Sequence, residues 1–457
     1  MLGLVQGQKL MTSGSIPKQM VFFALPILLG NLFQQLYNTV DTAIVGRFVG
    51  ANALAAVGTC NLVVVFMIYF FIGLSNGSSI VLSQCFGQND DEKVFKTVHT
   101  TMGLSFISGI ILMVVGLLSA ETILKWINTP DDVIGYAITY IKIYFFSMIP
   151  MMVFNMGTGI LRAVGDSKTP LYYLAASGVA NIVLDLIFIV QFKFGVMGAA
   201  LATTIAQTIS AVLIMIKLIK SNEIYKLHIS KIRINFDILK KILVIGIPTV
   251  LQSVLVCFSN IIVQSKVNLF GLNVMAALSI YYKVEGFIYM PIEAMAMAIS
   301  NFIGQNIGAK NLERVKKGKK LSMRICVVMT VLIGGLIMLL HTPILKIFTT
   351  DEKVIYYGTQ FILFIVPLYF IYAMNQILSG VLRGAGQTFI PMVIGLVCMC
   401  GLRVGWLVVM IGIVKDVRII YASYPLTWIF TNIFMSIYYY KGKWMEKSIS
   451  NENLKTV

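Results

Sequence analysis

The sequence predicts an all-α polytopic membrane protein, with twelve transmembrane helices in two pseudo-symmetric six-helix lobes. Three observations predict it. Of the 457 residues, 58% are hydrophobic and only 12% are charged, against roughly 25% charged in a soluble globular chain. Too little polar surface remains to coat a soluble core. The apolar residues also arrive in blocks of roughly 18–25, the length that crosses a hydrocarbon layer of about 30 Å. Runs such as Val63 to Leu74 and Ile182 to Val190 do not alternate, which excludes a β-barrel with its alternating strands of about ten residues. With no water in the bilayer core to bond, the backbone of such runs is satisfied only as helix. The third observation is an internal repeat that divides the blocks into two sets of six.

The spans begin near Lys18, Asn52, Val98, Val133, Pro170 and Val196 in the first half. In the second half they begin near Leu243, Val274, Leu321, Val354, Pro391 and Ile419. QCFGQNDDEKV from Gln84 matches QNIGAKNLERV from Gln305. Arg162, Gly165 and Pro170 match Arg383, Gly386 and Pro391, and Leu124-Lys125 matches Leu345-Lys346, every pair 221 residues apart. Pro26 and Asn38 pair with Pro248 and Asn260 one residue off that register. Six spans per half is an even number, so both halves enter from the same side and form a parallel repeat, an arrangement used by transporters that rock one half against the other. The expected division is an N-terminal lobe over 1–222, a cytoplasmic linker over 223–241, a C-terminal lobe over 242–446 and a cytoplasmic tail over 447–457. In the matched loops, Gly87 and Gly308 are expected to take the left-handed cap conformation after a helix end. Pro170 and Pro391 suit the first turn of the next span, where no amide donor is needed.

The formal charge of +17 is concentrated between spans. Lys217, Lys220, Lys226, Lys231, Arg233, Lys240 and Lys241 follow the sixth span, and Lys310, Arg314, Lys316, Lys317, Lys319, Lys320 and Arg324 follow the eighth. With alternating spans these fall on one side, together with Lys9, Lys18, Lys93, Lys96, Arg162, Lys168, Arg383 and Lys441. The positive-inside bias then puts both termini in the cytoplasm of a plasma-membrane protein. Nucleic acid is excluded as a partner, because no basic groove carries the interleaved aromatics that stack bases; membrane lipids are the surroundings. The six cysteines lie mostly in apolar spans without metal-ligand spacing, so no metal site is expected. The start, MLGLVQGQKLMTSGSIPKQ, is too polar for a signal peptide.

Ionisable residues inside a membrane are costly and mark function. Asp41, Lys142, Asp185, Lys283, Glu285, Glu293 and Arg403 fall within spans. Asp41, late in the first span, and Asp185, about two-thirds along the fifth, reach similar depth in the outer half of the bilayer at a rise of about 1.5 Å per residue. Asn181 is one helical turn before Asp185, on the same face. Two carboxylates and an amide at one depth make a proton or sodium site. Glu285 and Glu293 on the eighth span suit a cationic substrate or a second proton, and an ion pair with a neighbouring helix suits Glu285 equally well. Glu293 is expected nearer the cytoplasmic end and water-exposed; Arg403 is read as a packing anchor. The 25 methionines and 28 phenylalanines add adaptable and aromatic surface of the kind that holds varied organic cations.

LPILLGNLFQQLYNTVDTAIVGRFVGANALAAVG from Leu25, SGVANIVLDLIFI from Ser177, GVMGAALAT from Gly195, LRAVGDSKTP from Leu161 and FIGQNIGAKNLERVKKG from Phe302 together resemble the multidrug and toxic compound extrusion (MATE) family over nearly the whole chain. The resemblance implies a two-lobed, V-shaped antiporter that exports small organic cations in exchange for protons or sodium ions by alternating access. It implies no cofactor beyond the coupling ion, and one chain holding both halves is able to work as a monomer. Carried over residue by residue, the first-half cation site falls on Asp41, Asn181, Asp185 and Thr203. The cavity falls on Tyr37, Asn38 and Asn155, with Glu285 and Glu293 added from the intramembrane acids above. Some members hold sodium in the second half with acids on the seventh and tenth helices. TVLQSVLVCFSNIIVQ and FILFIVPLYFIYAMNQ carry none here, which favours coupling through Asp41. The alternative within the same superfamily is a flippase of lipid-linked intermediates, for which a more basic central cavity is expected. An enzyme is excluded: no HExxH, GxSxG or Walker motif occurs, and His99, His228 and His341 stand at span ends or in loops.

Overall fold

The computed structural model describes residues 11–446 and Ser448. Lys9, the first ten residues of the N-terminal lobe, and the expected tail apart from Ser448 lie outside the described residues. Contacts divide the chain into two units, Leu25–Gly246 and Met11–Ala24 with Ile247 onward.

The first unit is built from α1 (Ile16–Phe48, from Leu25 on), α2 (Ala51–Gly87), α3 (Asp91–Trp126), α4 (Asp131–Phe146), α5 (Met148–Ala163), α6 (Lys168–Asp185), a π turn over Leu186–Gln191, and α7 (Val196–Lys220). The second contains α8 (Phe236–Val267, from Ile247 on), α9 (Leu272–Gly308), α10 (Leu312–Leu339), α11 (His341–Phe348), α12 (Glu352–Ile365), α13 (Tyr369–Gly384), α14 (Phe389–Gly395), a π turn over Leu396–Leu402, α15 (Arg403–Ile413) and α16 (Arg418–Lys441). Among the described residues ten helices are long and apolar enough to cross a membrane, or eleven if α4 and α5, bent by 46°, form one span. The expected twelfth span is present as α16, 24 residues long, whose tyrosines and hydroxyl side chains leave it outside that set. Spans expected to start near Val98, Leu243 and Leu321 start as helices at Asp91, Phe236 and Leu312. Apolar pattern marks where a helix enters lipid; its polar first turns are helical already.

The repeat is visible in backbone geometry. Gly50 and Gly271, Asn89 and Lys310, and Gly165 and Gly386 all take positive φ at equivalent positions. Gly87 and Gly308 do not: they end α2 and α9 in helical conformation, and the left-handed residue comes two positions later, at Asn89 and Lys310. The next residue in each half caps a helix, Asp90 accepting from the Lys93 amide at 3.0 Å and Asn311 from the Arg314 amide at 3.2 Å. The Lys93 side chain bonded to Asp90 holds that loop carboxyl below its ordinary range. Pro170 and Pro391 fall in the first turns of α6 and α14, as expected.

Close helix packing is repeated too. A Cβ on Gly159 of α5 would lie 2.9 Å from the Ser75 carbonyl oxygen of α2. One on Gly380 of α13 would lie 2.7 Å from the Ala296 carbonyl oxygen of α9. Without a driving force from water, membrane helices associate through such small-residue contacts.

Two segments at helix starts are tied down by side chains. In the first unit, His228 donates its amide to His99 Nε2 at 3.1 Å and Asn235 donates to Thr100 Oγ1 at 3.1 Å. In the second, Met11 donates its amide to Gln305 Oε1 at 2.7 Å. Arg314 donates to the carbonyls of Met11 at 3.0 Å, Ser13 at 3.0 Å and Gly14 at 2.9 Å, and to Gln19 Oε1 at 2.7 Å.

Candidate functional site

In the first unit, α1 and α6 bring Asp41 and Asp185 together, their carboxyl groups facing each other. Asp185 is fully buried and Asn181 is 2% exposed. One oxygen of Asp41, both oxygens of Asp185 and both amide atoms of Asn181 are buried with no protein hydrogen-bond partner. Each unpartnered oxygen among these costs free energy that a bound cation or proton would recover. Two carboxylates in so dry a place cannot both be ionised cheaply. Asp185 is the last residue of α6 before the π turn, and π turns are frequent at functional sites because they loosen the regular backbone ladder.

Tyr37, one turn before Asp41, meets the side chains of Gln34 and Gln207. Its ring lies over Gly178 of α6, where an added Cβ would stand 3.0 Å from the ring. Tyr140 and Tyr144 of α4, with rings stacked 5.9 Å apart, approach the acid pair. The sequence reading missed these two and Gln207. The signal available was the spacing of Tyr136, Tyr140 and Tyr144, four residues apart, which puts them on one helix face.

Other expected site residues have different surroundings. Thr203 turns its hydroxyl onto the Ala199 carbonyl at 3.0 Å. Asn155 donates its amide to the Met151 carbonyl at 2.8 Å, while its own carbonyl receives Ser75 Oγ at 2.6 Å. Asn38 is exposed. None of the three makes a hydrogen bond to the acid pair in the structure.

The second unit holds both glutamates on α9 inside an aromatic cluster. Glu285 accepts from the Tyr369 hydroxyl, and Glu293 accepts from the Gln376 amide. Glu293 is half-buried, so the expected water-exposed position does not hold: α13 packs against it and Gln376 covers it. Gln376 also donates to Tyr372 Oη at 2.9 Å. Trp428 stands 4.8 Å from the Tyr369 ring and 5.4 Å from the Tyr372 ring. Arg403, 3% exposed, donates to Asn260 Oδ1 and Thr427 Oγ1, each at 3.2 Å, with its guanidinium 4.8 Å from the Tyr424 ring centre. Tyr424 in turn bonds the Tyr282 hydroxyl at 2.9 Å. The expected packing role of Arg403 fits these bonds.

The sequence is similar to known proteins along its whole length. A family model described as MatE matches residues 26–187 and again 248–409, once in each half. A probable multidrug resistance protein of Bacillus subtilis, YoeA, is 30% identical over 451 residues, covering 95% of this chain and 96% of that one. The multidrug export protein MepA of Staphylococcus aureus is 24% identical over 374 residues, 81% of this chain and 82% of that one. The fold matches, with a TM-score of 0.88 at 22% identity over 98% of this chain and 99% of the other, an outward-facing multidrug resistance transporter of the MOP superfamily.

Proposed function

This chain belongs to the MATE family of multidrug efflux membrane transporters, and we propose that it is an antiporter for small organic cations, driven by a cation that binds between Asp41 and Asp185. The observation that carries the reading is the facing carboxyl pair, in which one oxygen of Asp41 and both oxygens of Asp185 are buried without a partner elsewhere in the protein. Asn181 supplies a further amide oxygen, and Thr203 keeps acceptor lone pairs at the neighbouring helix. Protons are the favoured coupling ion: a single proton held between the two carboxyls removes their like-charge repulsion and leaves one negative charge on the pair. The second unit then serves the substrate. Glu285 and Glu293 supply negative charge, and Tyr369, Tyr372 and Trp428 supply aromatic faces, the combination that holds organic cations. Alternating access would expose the two sites in turn. The protein lies in the plasma membrane with both termini cytoplasmic, a placement supported by the basic loops, and works as a single chain.

The test uses inside-out vesicles holding wild type or Asp41→Asn. A pH gradient is imposed, then separately a sodium gradient, and ethidium uptake is followed. Uptake under the pH gradient that Asp41→Asn abolishes, with protein amount unchanged, is the expected outcome. Wild-type uptake by the variant sinks the proposed coupling site. A folded wild type inert under both gradients turns the search to lipid-linked or anionic substrates.

A further inference from the structure

A groove of about 440 Å³ runs along an exposed face of the second unit, between α14 with its π turn and α16. Val393, Val397, Phe434 and Ile437 make its walls, and Lys441 stands at its rim. Val397 is 56% exposed, Phe434 46% and Ile437 49%. On membrane-spanning helices such side chains meet hydrocarbon. The groove begins where α14 gives way to the π turn, whose wider turn breaks the even surface of a helix. It ends where α16 ends, because Lys441 is the last residue of that helix.

We propose that this groove binds one anionic phospholipid, an acyl chain along the apolar walls and the headgroup phosphate on Lys441. Three features favour that occupant. The walls are apolar and of a size for one chain-like ligand. The only charge on the lining is a cation, placed at the end of a membrane helix, where lipid phosphates lie. That cation has no acidic side chain within ion-pair distance among the described residues. Its neighbour Lys319 is already engaged, on Tyr440 Oη at 3.1 Å and over the Tyr439 ring, and Lys443, exposed two residues on, is not on the groove's lining, so Lys441 is the cation the groove presents to a phosphate. A long lysine side chain reaches from apolar surface to headgroup depth without burying its charge. A single lysine at a membrane surface is worth a factor of roughly five in binding an anionic lipid.

The experiment is native mass spectrometry of the full chain purified in detergent and incubated with equimolar phosphatidylglycerol and phosphatidylcholine of matched acyl chains. Wild type is expected to retain one phosphatidylglycerol with about five-fold preference. Lys441→Gln should lose the preference but keep a bound lipid, and Val397→Trp, which fills the groove, should lose retained lipid of either kind. Equal retention of the two lipids by wild type overturns the proposal. So does an unchanged preference in Lys441→Gln or unchanged retention in Val397→Trp. A wild-type dimer that Val397→Trp dissociates would assign the groove to a second copy of the chain and overturn it as well. Ethidium export is read separately, so a failure here leaves the transport reading standing.

Discussion

At the scale of single residues, hydrogen-bond chemistry fixes protonation in one place. His99 Nδ1 lies 2.8 Å from the Phe95 carbonyl, which only accepts, so that nitrogen carries the proton. Its Nε2 accepts from the His228 amide, so His99 must be neutral for both bonds to exist. His228, with its ring 6.2 Å away, and Lys231, over the adjacent Phe95 ring, face it with positive or potentially positive charge. His99→Ala leaves a half-buried amide unbonded and should cost about 1–3 kcal/mol, read as a lower thermal midpoint at neutral pH. A second proton on wild-type His99 removes the same bond, so the gap between wild type and variant should shrink on acidification. A gap that stays constant with pH would assign the loss to packing instead. Asp41 and Asp185 stood out in the sequence because a charge in an apolar span has no cheap explanation, and Asn181 because it lies one helical turn before Asp185. Tyr140, Tyr144 and Gln207 were not, since a hydroxyl or amide in a helix is as often a packing group, and only tertiary geometry turns it towards the acids.

At the scale of elements, backbone approach decides which positions tolerate change. Gly159→Ala and Gly380→Ala force a methyl against carbonyl oxygens of α2 and α9 that cannot swing aside. Each should destabilise by about 1–3 kcal/mol through overpacking, seen as a lower melting temperature in detergent. Gly58→Ala and Gly335→Ala, where an added Cβ meets nothing within 4 Å, should leave it unchanged. If the two sets behave alike, the close contacts do not govern stability. The helices were legible almost throughout, because length and apolarity are properties of each segment alone. The bend between α4 and α5 has a local mark in Pro150, which lacks the amide that would carry the ladder on from α4; the two π turns, one of them directly after Asp185, have none.

At the scale of the whole molecule, orientation follows from charge. In a variant without its native cysteines, one cysteine placed at Lys226 or Lys317 should react with a membrane-impermeant thiol reagent only from the cytoplasmic side, and one at Lys415 only from outside. Labelling of all three from one face would refute alternating spans. The repeat itself was readable from four loop segments in one register, and the structure extends it to left-handed residues, caps and close-packed glycines. What no local pattern announced is that residues 11–24 group with the second unit. The bonds of Met11 and Arg314 join residues 294 to 303 positions apart. A ribosome adding about 5–20 residues per second needs about 15–60 s to cover that interval. Residues 11–24 are thus fastened only after Arg314 has been made. A chain halted before Arg314 lacks the side chain that holds residues 11–24, so the second unit waits on a segment made long before it.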